Sequence, residues 1–290
     1  VGHEEVTLDG YHIHYFVGGQ GTPVLLVHGL GSRATDWADL IPPIVRSGHR
    51  VYAIDLLGYG ESDRPKDADY SIPQESKIVE DFIAAKNLQQ VDLAGWSMGG
   101  WIAMVVATDM PDRVSRLVLM DSAGLRFTPT FDIRLFTPSS MQQMSELVGL
   151  LTPYQHVMPG FLAKALLERS QRDAWVIRRS VNAMLTGQDL LDGKLGQLKM
   201  PVLIVWGKQD NLTPLSLAYQ IHAGTTNSRL QIYDGCGHLA PGLCASRIAP
   251  GLVSFLNGAG PQRDAEMPSE ASMGLVSQVV AFFHARSAGK

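Results

Sequence analysis

A serine hydroxyl attacks a carbonyl only when a base takes its proton and fixed N–H groups face the charge it creates. The segment Gly95-Trp96-Ser97-Met98-Gly99 has the composition for this. It follows a short apolar run at 90–94 (QVDLA) and precedes a second apolar stretch at 98–107. A serine on such a strand-to-helix hairpin takes a strained backbone. Flanking glycines allow close approach of neighbouring chain, and the new helix aims its amino end at developing negative charge. A plain turn serine would lack that context, so Ser97 is read as the nucleophile.

The base is sought among nine histidines. His238, in Gly235-Cys236-Gly237-His238, follows the last strand-like run and so sits at the carboxyl edge of a sheet. His12 and His14 share one face of an amino-terminal strand and read as a solvated hairpin, with no third metal ligand in view. His49, His222 and His284 lie near expected helices, and His156 lies in the segment between the strands at 114–119 and 201–206. A histidine base needs a carboxylate to fix its tautomer. Asp210, just past the strand at 201–206, gives the chain order Ser97, Asp210, His238; Asp121, just past the strand at 114–119, is its rival. Two backbone N–H groups should hold the oxyanion. One is that of Met98; the other is that of Leu30 in His28-Gly29-Leu30-Gly31. Gly29, Trp96 and Leu239 adjoin these residues in sequence and are expected in the substrate pocket.

The elements that must position these groups are short unbroken apolar strands at 23–28, 50–54, 90–94, 114–119, 201–206 and 229–233. They alternate with helices at about 36–47, 71–86 and 98–107, after a strand pair at 4–17 that turns at Asp9-Gly10. Buried strands alternating with helices define an α/β protein with a mostly parallel sheet and helices on both faces. No repeat of solenoid period occurs. The alternation stops between about 123 and 198. That stretch has helical spacing at Met141, Met144, Leu147, Val148 and Leu151 and at Ile177, Val181, Met184 and Leu185, punctuated by prolines 129, 138, 153 and 159. It reads as a helical cap, residues 123–198, inserted into a core of 1–122 and 199–290. Leu147 and Met184 are the cap residues expected to face the substrate, and Met141, Met144, Met158 and Met184 would make an adaptable wall. Leu135, Phe136, Phe161 and Trp175 add to its apolar lining. The last core helix falls at either 242–257 or 271–286. The latter has Leu275, Val279, Phe282 and Phe283 on one side and reads as a packed terminal helix, being too short and too little basic for a membrane anchor.

Across 290 residues, 45% are apolar and 18% charged, the composition of a globular chain with ample core material. A net charge of −4 offers no field for nucleic acid or anionic membrane, and no apolar run is long enough to span a bilayer. The expected location is the cytoplasm; a chain that starts at Val1 leaves a trimmed signal, and then a periplasmic or secreted site, as the alternative. Oligomeric state is not legible.

Taken together, the HGLG loop, DLLGYGESD, GWSMGG, WGKQDNLTP and GCGH resemble the α/β-hydrolases that bear a lid, over residues 5 to about 240. The resemblance implies the α/β-hydrolase fold, a Ser97–Asp210–His238 triad and no cofactor or metal. It does not choose a substrate, because the fold hosts many chemistries. Haloalkane dehalogenases and epoxide hydrolases of this fold place an aspartate where this chain has Ser97. Carbon–carbon bond hydrolases resemble it in WGKQDNLTP and in the basic Arg178 and Arg179. They usually carry Asn before the serine and Trp after the histidine, where this chain has Trp96 and Leu239.

Two other readings are set aside. Gly29-Leu30-Gly31-Ser32-Arg33-Ala34 with Asp55 imitates a dinucleotide fingerprint, but the helix behind it carries Pro42-Pro43 and the triad would go unexplained. Cys236 lies in the histidine loop and not on an elbow, so it is not a nucleophile. The two cysteines, Cys236 and Cys244, are too few for a disulfide framework or a four-cysteine zinc site, and a bridge between them is not expected, since spacing alone does not give the geometry.

The expected function is hydrolysis of carboxylic esters, esterase- or lipase-like, through an acyl-enzyme, with a small-molecule ester as partner. The alternatives are a carbon–carbon hydrolase of the same fold and a small-molecule receptor that retains the triad.

Overall fold

The computed structural model describes residues 2–153 and 160–258. Strands β1 (Gly2–Leu8) and β2 (Tyr11–Gly19) form a hairpin; β3 (Thr22–Val27), β4 (His49–Ile54), β5 (Val91–Trp96), β6 (Val114–Met120), β7 (Val202–Gly207) and β8 (Ser228–Tyr233) follow. They make one eight-stranded sheet in the order β1-β2-β4-β3-β5-β6-β7-β8. The pairs β1/β2 and β2/β4 are antiparallel and all others are parallel. The hairpin turns at Asp9-Gly10, both at positive φ (49° and 84°), which is the backbone a tight two-residue turn requires.

Alternation along each central strand divides its side chains between two apolar layers. Leu25 and Val27, Leu117 and Leu119, Ile204 and Trp206 face one layer. Val24 and Leu26, Val118 and Met120, Leu203 and Val205 face the other. Helices α2 (Ile72–Ala85) and α3 (Met98–Asp109) cover the first face. Residues 98–107 of α3 are all buried, which explains why the sequence there shows no polar stripe.

The other face carries α1 (Ile41–Arg46) and the last described core helix. The expected helix at 36–47 is broken. A 3₁₀ turn at Ala34–Trp37 comes first, and α1 starts only where Pro42 and Pro43 occupy its opening positions. Proline lacks the N–H and clashes one turn back, so it can begin a helix but not continue one.

Between β6 and β7 no described residue is in a strand. The segment holds α4 (Met141–Leu151) and α5 (Gly160–Leu185), with 3₁₀ turns at Ile133–Phe136 and Leu195–Gln197. Its apolar stripes are only partly covered. Met144, Val176 and Ile177 are buried, whereas Met141 is 44% exposed, Leu185 57% and Phe161 79%. The three exposed residues stand at or next to helix ends, beyond the part of each helix that rests on the core. Phe161 is therefore corrected from the expected pocket lining. His156, Met158 and Pro159 lie outside the described residues.

After β7 come α6 (Leu215–Gly224), a short α7 (Ala240–Leu243) and α8 (Ala245–Leu256). Ile248, Leu252, Phe255 and Leu256 of α8 are buried in the second layer. The 245–256 segment thus fills the core position; 271–286 and His284 lie outside the described residues.

Candidate active site

Strand β5 ends in Trp96 and α3 begins at Met98, leaving Ser97 to make the whole reversal. Its backbone is at φ 56°, ψ −121°, a conformation non-glycine residues rarely hold. The hairpin closes tightly because its neighbours lack side chains. A Cβ on Gly95 would lie 2.2 Å from the Gly99 carbonyl, and one on Gly99 would lie 2.2 Å from the Val27 carbonyl. The Ser97 N–H donates to the Met120 carbonyl at the end of β6, fixing the elbow to the sheet.

Three side chains from three loops meet here. His238 Nε2 is 2.9 Å from Ser97 Oγ, and His238 Nδ1 is 2.8 Å from Asp210 Oδ2. An ionised carboxylate only accepts, so Nδ1 carries the proton and Nε2 is free to accept from the serine hydroxyl. Asp210 is itself surrounded by donors. Oδ1 accepts the N–H groups of Leu212 (2.7 Å) and Thr213 (2.9 Å), and Oδ2 accepts the Thr213 hydroxyl (2.6 Å). Four donors, counting His238, thus converge on this one carboxylate. The role of Thr213 was not read from the sequence. The signal was present: a threonine three residues after an aspartate and just before a proline is a side-chain-to-backbone turn signature.

Asp121 is placed differently. It is wholly buried, and Oδ1 accepts the Gly207 N–H at 2.7 Å. Oδ2 has no partner among the described residues. Burial, reinforced by the neighbouring Asp210 charge, pushes its carboxyl well above the usual range. Asp121 thus ties the end of β6 to the end of β7 and does not touch His238.

Trp96 donates its indole N–H to the His238 carbonyl at 2.8 Å. It clamps the histidine loop, and its one polar donor is spent. Gly29 closes the other side: a Cβ there would come within 3.0 Å of Ser97 Cβ. Met98 opens α3, so its N–H has no carbonyl one turn back. In the facing loop the turn closes through Ser32 N–H to the Gly29 carbonyl, a bond that does not use Leu30. His28 shapes this loop. Its Nε2 accepts the Leu56 N–H (3.0 Å), so Nδ1 donates to the Gly29 carbonyl (2.8 Å). Burial holds its imidazole below the ordinary histidine range, which keeps that neutral tautomer.

The segment between β6 and β7 rests on these loops. The Leu151 carbonyl at the end of α4 accepts the Leu239 N–H at 3.2 Å. From α5, Arg169 donates to the Gly31 carbonyl at 3.3 Å, and Ser180 meets the Tyr59 hydroxyl at 2.7 Å. With this cover Ser97 is 8% exposed and His238 is buried. Leu147 and Met184 are half-buried; Met184 packs against the α2/α3 layer.

Contrary to the expectation from sequence, Cys236 and Cys244 form a disulfide around the loop that bears His238, because the turn into α7 brings their Cα atoms to 6.2 Å. Asp55, the acid of the imitated dinucleotide motif, is occupied: it accepts the N–H groups of Ala34 and Glu61 and pairs with His14. Among the described residues, the donors able to converge on a metal ion are His3, His14 and Glu61, on β1, β2 and the loop after β4.

The chain belongs to the α/β hydrolase fold family, whose model matches residues 22–152 and 177–242. It is 30% identical over 264 residues to the 2-hydroxymuconate semialdehyde hydrolase of Pseudomonas sp. (strain CF600), covering 87% of this chain and 93% of that one. Among solved structures it resembles a bacterial membrane phospholipase A (TM-score 0.81, 26% identity, 89% of this chain and 86% of that one). It resembles equally the meta-cleavage product hydrolase of Pseudomonas fluorescens IP01 (TM-score 0.81, 26% identity, 89% and 98%).

Proposed function

We propose that this hydrolase cleaves carboxylic esters through an acyl-enzyme on Ser97. The observation that carries the reading is the unbroken chain from Ser97 Oγ through His238 to Asp210. In this scheme Ser97 Oγ attacks the ester carbonyl as His238 Nε2 takes its proton. The N–H groups of Leu30 and Met98 hold the oxyanion. The ester C–O bond breaks, and the alcohol leaves with the proton from His238. Water then attacks the acyl-enzyme, again deprotonated by His238, releasing the acid and restoring Ser97.

A carbon–carbon bond hydrolase is the second reading, favoured by the identity to the 2-hydroxymuconate semialdehyde hydrolase. Two residues weigh toward the ester. Trp96 has already committed its indole N–H to His238, and Leu239 is apolar, so neither offers a free donor to a charged dienolate beside Ser97. Chromogenic esters of graded acyl length, compared with an aromatic ring-cleavage product, test the choice. Turnover of esters at a kcat/KM well above that of the dienoate supports the proposal; the reverse order replaces it with the second reading.

The segment 123–198 is proposed as the cap that sets acyl preference, with Gly29, Trp96, Leu147, Met184 and Leu239 as pocket residues. Its support is the hydrogen bonds from Leu239 to Leu151 and from Arg169 to Gly31.

A further inference from the structure

We propose that His3, His14 and Glu61 form a binding site for a borderline divalent metal ion, of the zinc class, at the hairpin edge of the sheet. The inference does not depend on the hydrolase reading. His14 is only 3% exposed. Its Nδ1 lies 2.8 Å from Asp55 Oδ2. Asp55 accepts two backbone N–H groups besides, those of Ala34 at 2.6 Å and Glu61 at 3.0 Å, as an ionised carboxylate does. His14 Nδ1 is therefore the donor, and Nε2 carries the lone pair. That lone pair is buried and has no hydrogen-bond partner. An unsatisfied buried acceptor costs about 1–3 kcal/mol, so such an atom calls for an explanation.

The groups nearest that lone pair are metal ligands. Glu61 Oε2 is 3.7 Å from His14 Nε2, and the His3 ring centroid is 5.5 Å from that of His14. One ligand atom from each of the three residues falls within 4.8 Å of the other two. Ligands of a tetrahedral zinc ion, bound at about 2.0–2.1 Å, stand about 3.3 Å apart. Closing that gap requires rotamer changes only of His3 and Glu61, which are exposed and free to make them. The fixed ligand is already oriented: a carboxylate behind an imidazole whose other nitrogen faces the metal is the arrangement that holds and strengthens histidine ligands. Phe16 supports both rings, with centroids 4.3 Å from His3 and 5.0 Å from His14. Register explains the meeting. His3 lies opposite Phe16 in the β1/β2 ladder and His14 is two residues earlier, so all three share one face. Two nitrogens and one carboxylate oxygen suit zinc, cobalt or nickel better than calcium or magnesium, and leave a position for water. Bound metal would tie β1, β2 and the loop after β4 together.

The test is titration of the chelator-treated full chain with Zn²⁺ by calorimetry, with Co²⁺ as a spectroscopic probe. The expected result is one ion per chain and the visible absorption of a low-coordinate Co²⁺ bound by nitrogen and oxygen. His3→Ala and Glu61→Gln should each weaken binding by about 10-fold or more. Both residues are exposed, so these variants should keep the parent's melting temperature without metal. His14→Gln should abolish binding. His12→Ala, at the exposed hydroxyl of Thr7, should bind like the parent. Failure of the parent to bind stoichiometrically in zinc excess would overturn the proposal. So would unchanged affinity in the His3→Ala, Glu61→Gln double variant.

Discussion

At Asp210 a single carboxylate collects a histidine, a hydroxyl and two backbone donors, while Asp121 nearby keeps an oxygen unpaired. The two acids should therefore differ in their response to amidation. Asp210→Asn should lower kcat by about 10⁴-fold, because an amide can present its NH₂ to His238 Nδ1 and favour the wrong tautomer. Asp121→Asn keeps the acceptor for Gly207 and should stay within a few-fold of the parent. Thr213→Val, which removes one donor to Asp210, should cost roughly tenfold, about the worth of one hydrogen bond to a charge. Steady-state ester kinetics check all three. Asp121 also predicts a pH effect. In the unfolded chain its carboxyl ionises near about 3.9. In the fold burial keeps it protonated to higher pH. The folded state then holds the extra proton, so this group's contribution to stability falls as pH rises above about 4 and levels off once its folded pKa is passed. The stability gain of Asp121→Asn over the parent should grow through that window in urea unfolding; a pH-independent difference would contradict it. The meeting of Ser97, His238 and Asp210 was legible because each residue type needs the other two and each sits just after a strand. Thr213 carried only a turn signature, which marks a local bend and not a contact with the site, and His28 carried none, since a histidine that only orients a neighbour has no chemistry of its own to announce it.

The elements carry the next level of constraint. The strands were legible from unbroken apolar runs, and the hairpin from Asp9-Gly10. The helix expected at 36–47 failed at Pro42-Pro43, where a start signal was read as an interior. The stripe on α5 misled at Leu185 because periodicity marks a face but not how far along the helix that face is covered. Neither the Cys236–Cys244 bond nor the meeting of His3 with His14 could be read, for both depend on where turns bring the chain. The disulfide closes a short loop around His238. By the chain-entropy account it should stabilise the fold by roughly 2–3 kcal/mol. Cys236→Ala with Cys244→Ala should show that loss in chemical denaturation. An unchanged midpoint would mean the bond adds no net constraint. At the proposed cap, Leu147→Trp or Met184→Trp should shift the preferred acyl length while the rate on an acetyl ester stays within a few-fold. Equal loss on acetyl and longer esters in every such variant would leave the segment a role in stability alone.

Across the whole molecule, the sheet order brings the loops after β3, β5, β7 and β8 to one carboxyl edge, and the histidine, acid and serine come from three of them. The segment between β6 and β7 leaves the sheet at that same edge, where α4 and α5 rest on Leu239 and Gly31, before the chain returns to the amino end of the parallel β7. Among the described residues no helix is long and apolar enough to cross a membrane. The fold and the meeting of Ser97, His238 and Asp210 follow from short patterns along the chain, whereas the substrate choice proposed for the half-buried Leu147 and Met184 depends on how their helices are seated, which helical spacing alone does not give. The account stands on a covalent acyl group at Ser97. The most direct test is to quench the enzyme during turnover of a chromogenic ester and map the adduct by mass spectrometry, with Ser97→Ala in parallel. The account predicts one acyl group per chain, located on Ser97, and a variant slower by several orders of magnitude with no adduct. An acyl group on another residue, or a Ser97→Ala variant that keeps more than about a tenth of the parent rate, would contradict it.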